Sequence, residues 1–328
     1  MRSGNVLRIV AFAVIGMTPM SLIAGEAWIQ KARMPTARFG LSSSVVDGRV
    51  YAIGGGVDVG DIVRNVQEYN PATDSWVDKA DMPIATCWHS TSAVDGRIYA
   101  IGGWAVGGVG IGTVVEYDPA TDTWRARAEM PTPRQFLSTS AVNGKIYAIG
   151  GTNHHIGLGT VEEYDPTTNT WTTKADMPTP RMLVSTSVVN GIIYAIGGGR
   201  YEHTVDSTVE AYDPATDTWT TKAPIPTARA FFSTTVVNGK IYAIGGCTGW
   251  YDVYTSNSVE VFDPVTNTWT LGAALQTPRA ALATSAVNRR IYAIGGDPIA
   301  NWGNPASTVE ELTVGLPPPR RAGRRLTP

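Results

Sequence analysis

From Leu41 to Val46 the chain runs through small and apolar residues, turns at Asp47-Gly48, and continues as Arg49-Val50-Tyr51-Ala52-Ile53 into a Gly54-Gly55 pair. Two short runs joined by an Asp-Gly step signal a β-hairpin closed by a type I′ turn. The signal recurs at Asp95-Gly96, Asn143-Gly144, Asn190-Gly191 and Asn238-Gly239. A sixth copy, Asn288-Arg289, puts Arg where a positive φ is needed, so that hairpin is expected to be strained or differently turned. After each Gly-Gly pair come a loop of variable length and a third strand such as Val209-Glu210-Ala211-Tyr212. In the first five copies a turn such as Asp213-Pro214 then leads to a fourth strand around a Trp such as Trp219. The signals are β throughout, and each unit is predicted to be a four-stranded antiparallel meander.

The unit repeats. Gly-Gly pairs begin at Gly54, Gly102, Gly150, Gly197, Gly245 and Gly295, stepping by 48, 48, 47, 48 and 50 residues. Trp28, Trp76, Trp124, Trp171, Trp219 and Trp269 step by the same intervals, so two independent landmarks set one period. A single meander cannot bury both faces of its sheet, so six must stack around an axis, which predicts an all-β six-bladed β-propeller. Ser42, Ser90, Ser138, Ser185, Ser233 and Ala283 are small where six innermost strands converge. Gly-Gly lets the end of the second strand approach a neighbouring blade closely. The repeated Tyr and Trp read as packing between blades. The sixth unit stops after its third strand, while Trp28 to Pro35 copies Trp76 to Pro83, so the N-terminal strand is expected to complete the last blade and leave no open edge.

Composition adds limits. The 328 residues hold 35 Gly and 21 Pro but only 16% charged residues, against about 25% in an average domain. Residues 26–315 carry 20 Lys and Arg against 28 Asp and Glu, a net −8, which disfavours a nucleic-acid partner. Residues 1–25 place Arg2 and Arg8 before an apolar run and Ala24-Gly25, the layout of a secretory signal peptide. The expected location is secreted or periplasmic, with no membrane contact beyond an uncleaved anchor. Two cysteines, Cys87 and Cys247, are too few for a disulfide framework. The propeller is expected over residues 26–314, with a disordered Pro/Arg tail over 315–328.

The Tyr-x-x-Gly-Gly end of the second strand, the Val-Glu-x-Tyr-Asp-Pro third strand and the Trp that follows resemble the kelch repeat, over most of the chain. That resemblance implies a propeller of a superfamily that includes peptide- and sugar-binding modules, galactose oxidase and secreted sialic-acid epimerases. Fold alone does not choose among them.

Departures from the repeat are the better functional candidates, and they fall on two loops that leave one face of a propeller. The links between blades carry Arg38, Arg134, Arg181, Arg229 and Arg279. Such a ring is either an anion-seeking mouth or a set of side chains bonded to backbone carbonyls. Blade two departs with Thr86-Cys87-Trp88-His89. The loops within blades carry Trp104, His154, His155, Tyr201, Trp250, Tyr251 and Trp302, aromatic groups suited to stacking on a sugar or packing on a peptide. Contact is expected to lean toward blades four to six, with Arg229 and Arg279 holding any acidic group. The four His lie on that face without a metal-ligand spacing, so no metal or cofactor is expected. The copper set of galactose oxidase cannot be matched to positions here, and an epimerase would draw its acid and base from Glu202, His203, Asp206 or Asp252. The expected function is a monomeric, non-catalytic module binding a glycan or a protein segment, with a carbohydrate-active enzyme as the alternative.

Overall fold

A computed structural model of the chain describes residues 26–200, 204–249 and 254–315. The leader expected at residues 1–25 and the tail from residue 316 onward lie outside the described residues. Every regular element among the described residues is a strand. Six sheets contain four strands each, all paired antiparallel between sequence neighbours except at one closure.

The first blade is Ser42–Val46, Arg49–Ile53, Val66–Asn70 and Ser75–Lys79. Blades two to five repeat that order from Ser90, Ser138, Ser185 and Ser233. The sixth blade takes Ala283–Val287, Arg290–Ile294 and Val309–Thr313 from the C-terminal part of the chain and Trp28–Gln30 from the N-terminal part. Trp28 lies opposite Leu312 and Gln30 opposite Glu310, so the N-terminal strand closes the ring.

Small residues line the axis because the innermost strands of adjacent blades touch all the way round. Their hydroxyls form a ladder from blade to blade: Ser42 to Thr91, Ser90 to Thr139, Ser138 to Thr186, Ser185 to Thr234 and Ser233 to Thr284, all 2.8–2.9 Å. The closing junction differs on both sides at once, with Ala283 facing Ser43. Here Ser43 instead pairs with Ser285 at 2.8 Å.

Outside the axis each Trp locks its blade to the one before. Trp76 Nε1 donates to Ala32 O at 2.9 Å, and Trp124, Trp171, Trp219, Trp269 and Trp28 repeat the bond. The Gly-Gly pairs lie as close to neighbouring backbone as their lack of Cβ allows: a methyl on Gly54 would sit 2.6 Å from Thr86 O, and one on Gly102 2.7 Å from Arg134 O. The Asn288-Arg289 hairpin keeps the turn of the other copies, with φ of 50° and 63°. It is strained rather than differently turned, Arg289 taking the left-handed conformation that Gly takes elsewhere. One feature was not expected: the blade-one loop folds into a small ribbon, Gly56–Asp58 against Asp61–Ile62. Gly60, at φ 84°, makes its turn.

Candidate functional site

The five link arginines are inside the wall of the propeller. Arg38, Arg134, Arg181, Arg229 and Arg279 are each 0% exposed. Arg181 shows the arrangement: Nη1 donates to Gly197 O and Thr208 O at 2.7 and 2.8 Å, and Nη2 to Glu210 at 2.8 Å. Arg134, Arg229 and Arg279 pair likewise with Glu162, Glu260 and Glu310, whereas Arg38 meets neutral Gln67 at 3.0 Å. Burial pulls all five below the usual guanidinium range, Arg38 and Arg279 to about 10. Blade two lacks both partners together, with Thr86 for the Arg and Val115 for the Glu. The Arg and its third-strand partner, a carboxylate in four blades and Gln67 in blade one, are therefore a structural pair, each bonded within its own blade. The anion-seeking mouth is corrected accordingly, since buried guanidinium groups with carbonyl and carboxylate partners have nothing to offer a ligand.

Two residues beyond each Arg position the link reaches the axis. Gly40, Trp88, Phe136, Leu183, Phe231 and Ala281 all have φ between 53° and 58°. A hoop of backbone bonds runs through them: Gly40 N donates to Ala281 O, Trp88 to Gly40, Phe136 to Trp88, Leu183 to Phe136 and Ala281 to Phe231, at 2.7–3.0 Å. Left-handed backbone is costly for bulky side chains and persists where surrounding bonds over-determine it. Here the conformation gathers aromatic side chains over the channel mouth. Trp88 lies 5.1 Å from Phe136, 5.5 Å from Phe231 and 5.4 Å from Trp302 between ring centroids. Phe39 adjoins Trp88 and Trp302 at 5.7 and 5.6 Å.

Beside this cluster, on the loop face, is a cavity of about 280 Å³. Blade one contributes Phe39, Ile62 and the ribbon residues Asp58 to Gly60; blade two contributes Cys87, Trp88 and Trp104. Gln135, Phe136, Thr152 and His155 come from blade three, and Met182, Phe231 and Trp302 from the rest. Trp104 is held by paired backbone bonds with Cys87, at 2.7 and 3.1 Å. Burial pushes the Cys87 thiol far up, so it lines the wall as a small apolar group. A concave, largely aromatic space with a few polar groups at its edge is the form of a ligand site.

The sequence profile of the Attractin/LZTR1 beta-propeller family matches residues 25–253, well over half of the chain. The chain belongs to the Attractin/LZTR1 beta-propeller family. The solved structure of YjhT is similar in fold, with a TM-score of 0.75 and 17% identity over 86% of this chain and 96% of that one. No curated protein matches. In this Attractin/LZTR1 propeller the kelch-type repeat supplies the scaffold, and the loop face differs from blade to blade.

Of the sequence candidates, Trp88, Trp104, His155 and Trp302 meet at the propeller's pocket. His89 lies beneath it on the axis. His154 is exposed on the blade-three loop and is not part of the pocket wall. Tyr201, Trp250 and Tyr251, with Glu202, His203 and Asp252, lie outside the described residues. Asp206 accepts from Arg200 Nε at 2.8 Å and from Thr208; burial raises its carboxyl, but these bonds hold it below the usual range. Among the described residues no three His, Cys, Asp or Glu side chains gather as metal ligands would. The described pocket draws most of its wall from blades one to three, with Met182, Phe231 and Trp302 reaching it from blades four, five and six. Sequence reasoning missed Phe39, Asp58, Phe136, Met182 and Phe231. All but Asp58 follow the Arg directly or at the second position, where the links differ most from one another.

Proposed function

We propose that this kelch-type propeller is a non-catalytic binding module that holds a segment of another protein on its loop face. One apolar or aromatic side chain of that segment enters the pocket between Trp88, Trp104 and Trp302. The observation that carries this reading is the pocket wall: six aromatic rings and Met182 against only Asp58, Gln135, Thr152 and His155 as polar groups. An apolar side chain loses nothing by entering such a space, while a sugar would leave hydroxyls without partners. A glycan is the second reading, supported by the Trp faces and by the polar groups at the edge, which suit a ring stacked on Trp104. The sugar-acid epimerase reading loses the link arginines as its anion holder, because all five are sealed in the wall.

The N-terminal layout supports an exported protein, secreted or periplasmic. A peptide and glycan array on the purified protein tests the binding reading. Changing Trp104 to Ala is expected to weaken the strongest hit by ~30-fold or more, as loss of an anchoring aromatic does. The melting temperature should stay nearly unchanged, because Trp104 is on a loop outside the blade sheets. An unchanged affinity removes the pocket from the account.

A further inference from the structure

The rings of Phe39, Trp88, Trp104, Phe136, Phe231 and Trp302 make up most of the wall of the loop-face cavity. Trp88, Trp104, Phe136 and Trp302 are only half-buried, so part of each ring is open to the space. Trp88 and Trp302 meet edge to face, at 84°. Trp104 pairs with no other ring among the described residues; its backbone is bridged to Cys87 and Gly110, and the faces of its indole remain for a ligand. The face of an aromatic ring is the negative end of its quadrupole. Several rings around one cavity therefore attract a cation.

The charge on the wall favours the same sign of ligand. Asp58, at the end of the first ribbon strand, is an exposed carboxylate on the rim; its Oδ1 accepts from Val59 N at 2.7 Å, and no Lys or Arg pairs with it among the described residues. Gln135, Thr152 and His155 are the other polar groups of the wall, and no Lys or Arg joins them. Residues 26–315 carry a net −8. Acceptors are nevertheless few, because Thr152 Oγ1 is sealed behind the wall. A primary ammonium with three N–H donors, or a guanidinium with five, would leave some of them unpaired against the rings. An ammonium whose hydrogens are replaced by methyl groups has no donor to satisfy, and its C–H surface packs on the rings while its charge interacts with their faces.

We infer that the loop-face pocket is a binding site for a trimethylammonium group, held against the indole face of Trp104 and balanced by the Asp58 carboxylate. The cavity, at about 280 Å³, is nearly twice the ~150 Å³ that holds benzene, which leaves room for the three methyl groups and part of the stem that carries them. The inference rests on the proposal that this pocket takes a ligand, and it names the group that enters. A trimethylammonium end meets that proposal's demand for an occupant with no unpaired hydroxyl or N–H.

The test is a titration of the full chain, followed through the indole N–H signals of isotope-labelled tryptophan. Choline is the cation; 3,3-dimethylbutan-1-ol has the same shape with carbon in place of the charged nitrogen; 2-aminoethanol keeps the charge and carries N–H donors instead of methyl groups. Choline should shift the Trp104 signal to saturation, and the other two should bind at least ~10-fold more weakly. Trp104→Leu, which keeps apolar surface and removes the ring, should weaken choline ~10-fold, read at Trp88 and Trp302, and leave the neutral alcohol nearly unchanged. Asp58→Asn should weaken choline at least ~3-fold and the alcohol not at all. Acetyl-trimethyllysine amide should bind at least ~10-fold more tightly than acetyl-lysine amide; it exceeds choline if the group arrives on a protein segment, and choline exceeds it if the group arrives on a free small molecule. The inference is overturned if no probe binds, if the alcohol or 2-aminoethanol matches choline, or if choline binding survives both substitutions unchanged. An alcohol that matches choline would leave the pocket as an apolar ligand site, so the inference would fail while the binding proposal, decided by the array hit and Trp104→Ala, would stand. The comparison of probes needs no variant, so it holds even if a substitution disturbs folding.

Discussion

His89 is a residue whose stability contribution and sequence context point in opposite directions. Its folded-state pKa, about 4, lies below the ordinary 6.5, so between these values the unfolded chain binds a proton that the folded chain does not. Stability must then rise with pH across that window and fall as the pH drops from 6.5 toward 4. The shift corresponds to about 3 kcal/mol lost by the low end of the window. Denaturant unfolding at pH 7 and pH 4.5 should show His89→Leu losing less stability than the parent by most of that amount. It should also be the more stable protein at both values, because it removes two unpaired buried nitrogens. Equal pH dependence in the two proteins would mean that water reaches the ring. The link arginines teach a related lesson. Each sits beside a Pro-rich link that reads as a surface turn, while its Glu or Gln partner lies 28 to 31 residues downstream in the third strand. Local reading therefore leaves charge at the mouth. The concerted change to Thr86 and Val115 in blade two was the available signal, and it is found only by comparing two positions across all six units.

At the level of strands the sequence was most informative, because each feature is decided within a few residues. Asn-Gly turns, the Tyr-Ala-Ile-Gly-Gly strand ends and the Trp-centred fourth strand all act locally. Even the closure was legible, since residues 28–35 copy residues 76–83. Trp28 is 3% exposed and donates to Ala273 O at 2.8 Å, as the other Trp residues do to their preceding blades. Deleting residues 26–33 leaves a three-stranded last blade and an empty indole socket. A lost buried Trp costs ~3–5 kcal/mol before strand hydrogen bonds are counted. The truncated chain should melt lower by at least ~6 °C in a thermal scan. A melting temperature within a degree or two of the intact protein would show that this pairing does not hold the ring closed. The blade-one ribbon, by contrast, had no hydrophobic pattern to announce it, because strands of three and two residues are too short to carry one and are set by the Gly60 turn.

For the whole molecule, the candidate pocket was legible only as a face. Blade-to-blade irregularity singled out the loop side, and Trp88, Trp104, His155 and Trp302 line one pocket there. Which residues share the described pocket was not legible, because the axis brings together residues one repeat apart and sequence distance carries no record of which ones lean inward. Phe136 and Phe231 enter through a left-handed backbone that their side chains would not choose, imposed by the hoop of bonds between links. The scaffold thus fixes six equivalent positions at the mouth, and side-chain identity at those positions and in the loops makes the pocket. Hydrogen–deuterium exchange of the intact protein, with and without the strongest array hit, tests that account most directly. Added protection is predicted at residues 56–62, 104–110 and 152–157 and around Trp302, with the Asp47-Gly48, Asp95-Gly96 and Asn143-Gly144 hairpins on the opposite face unchanged. Protection concentrated at those hairpins, with the loop face unaffected, would contradict it.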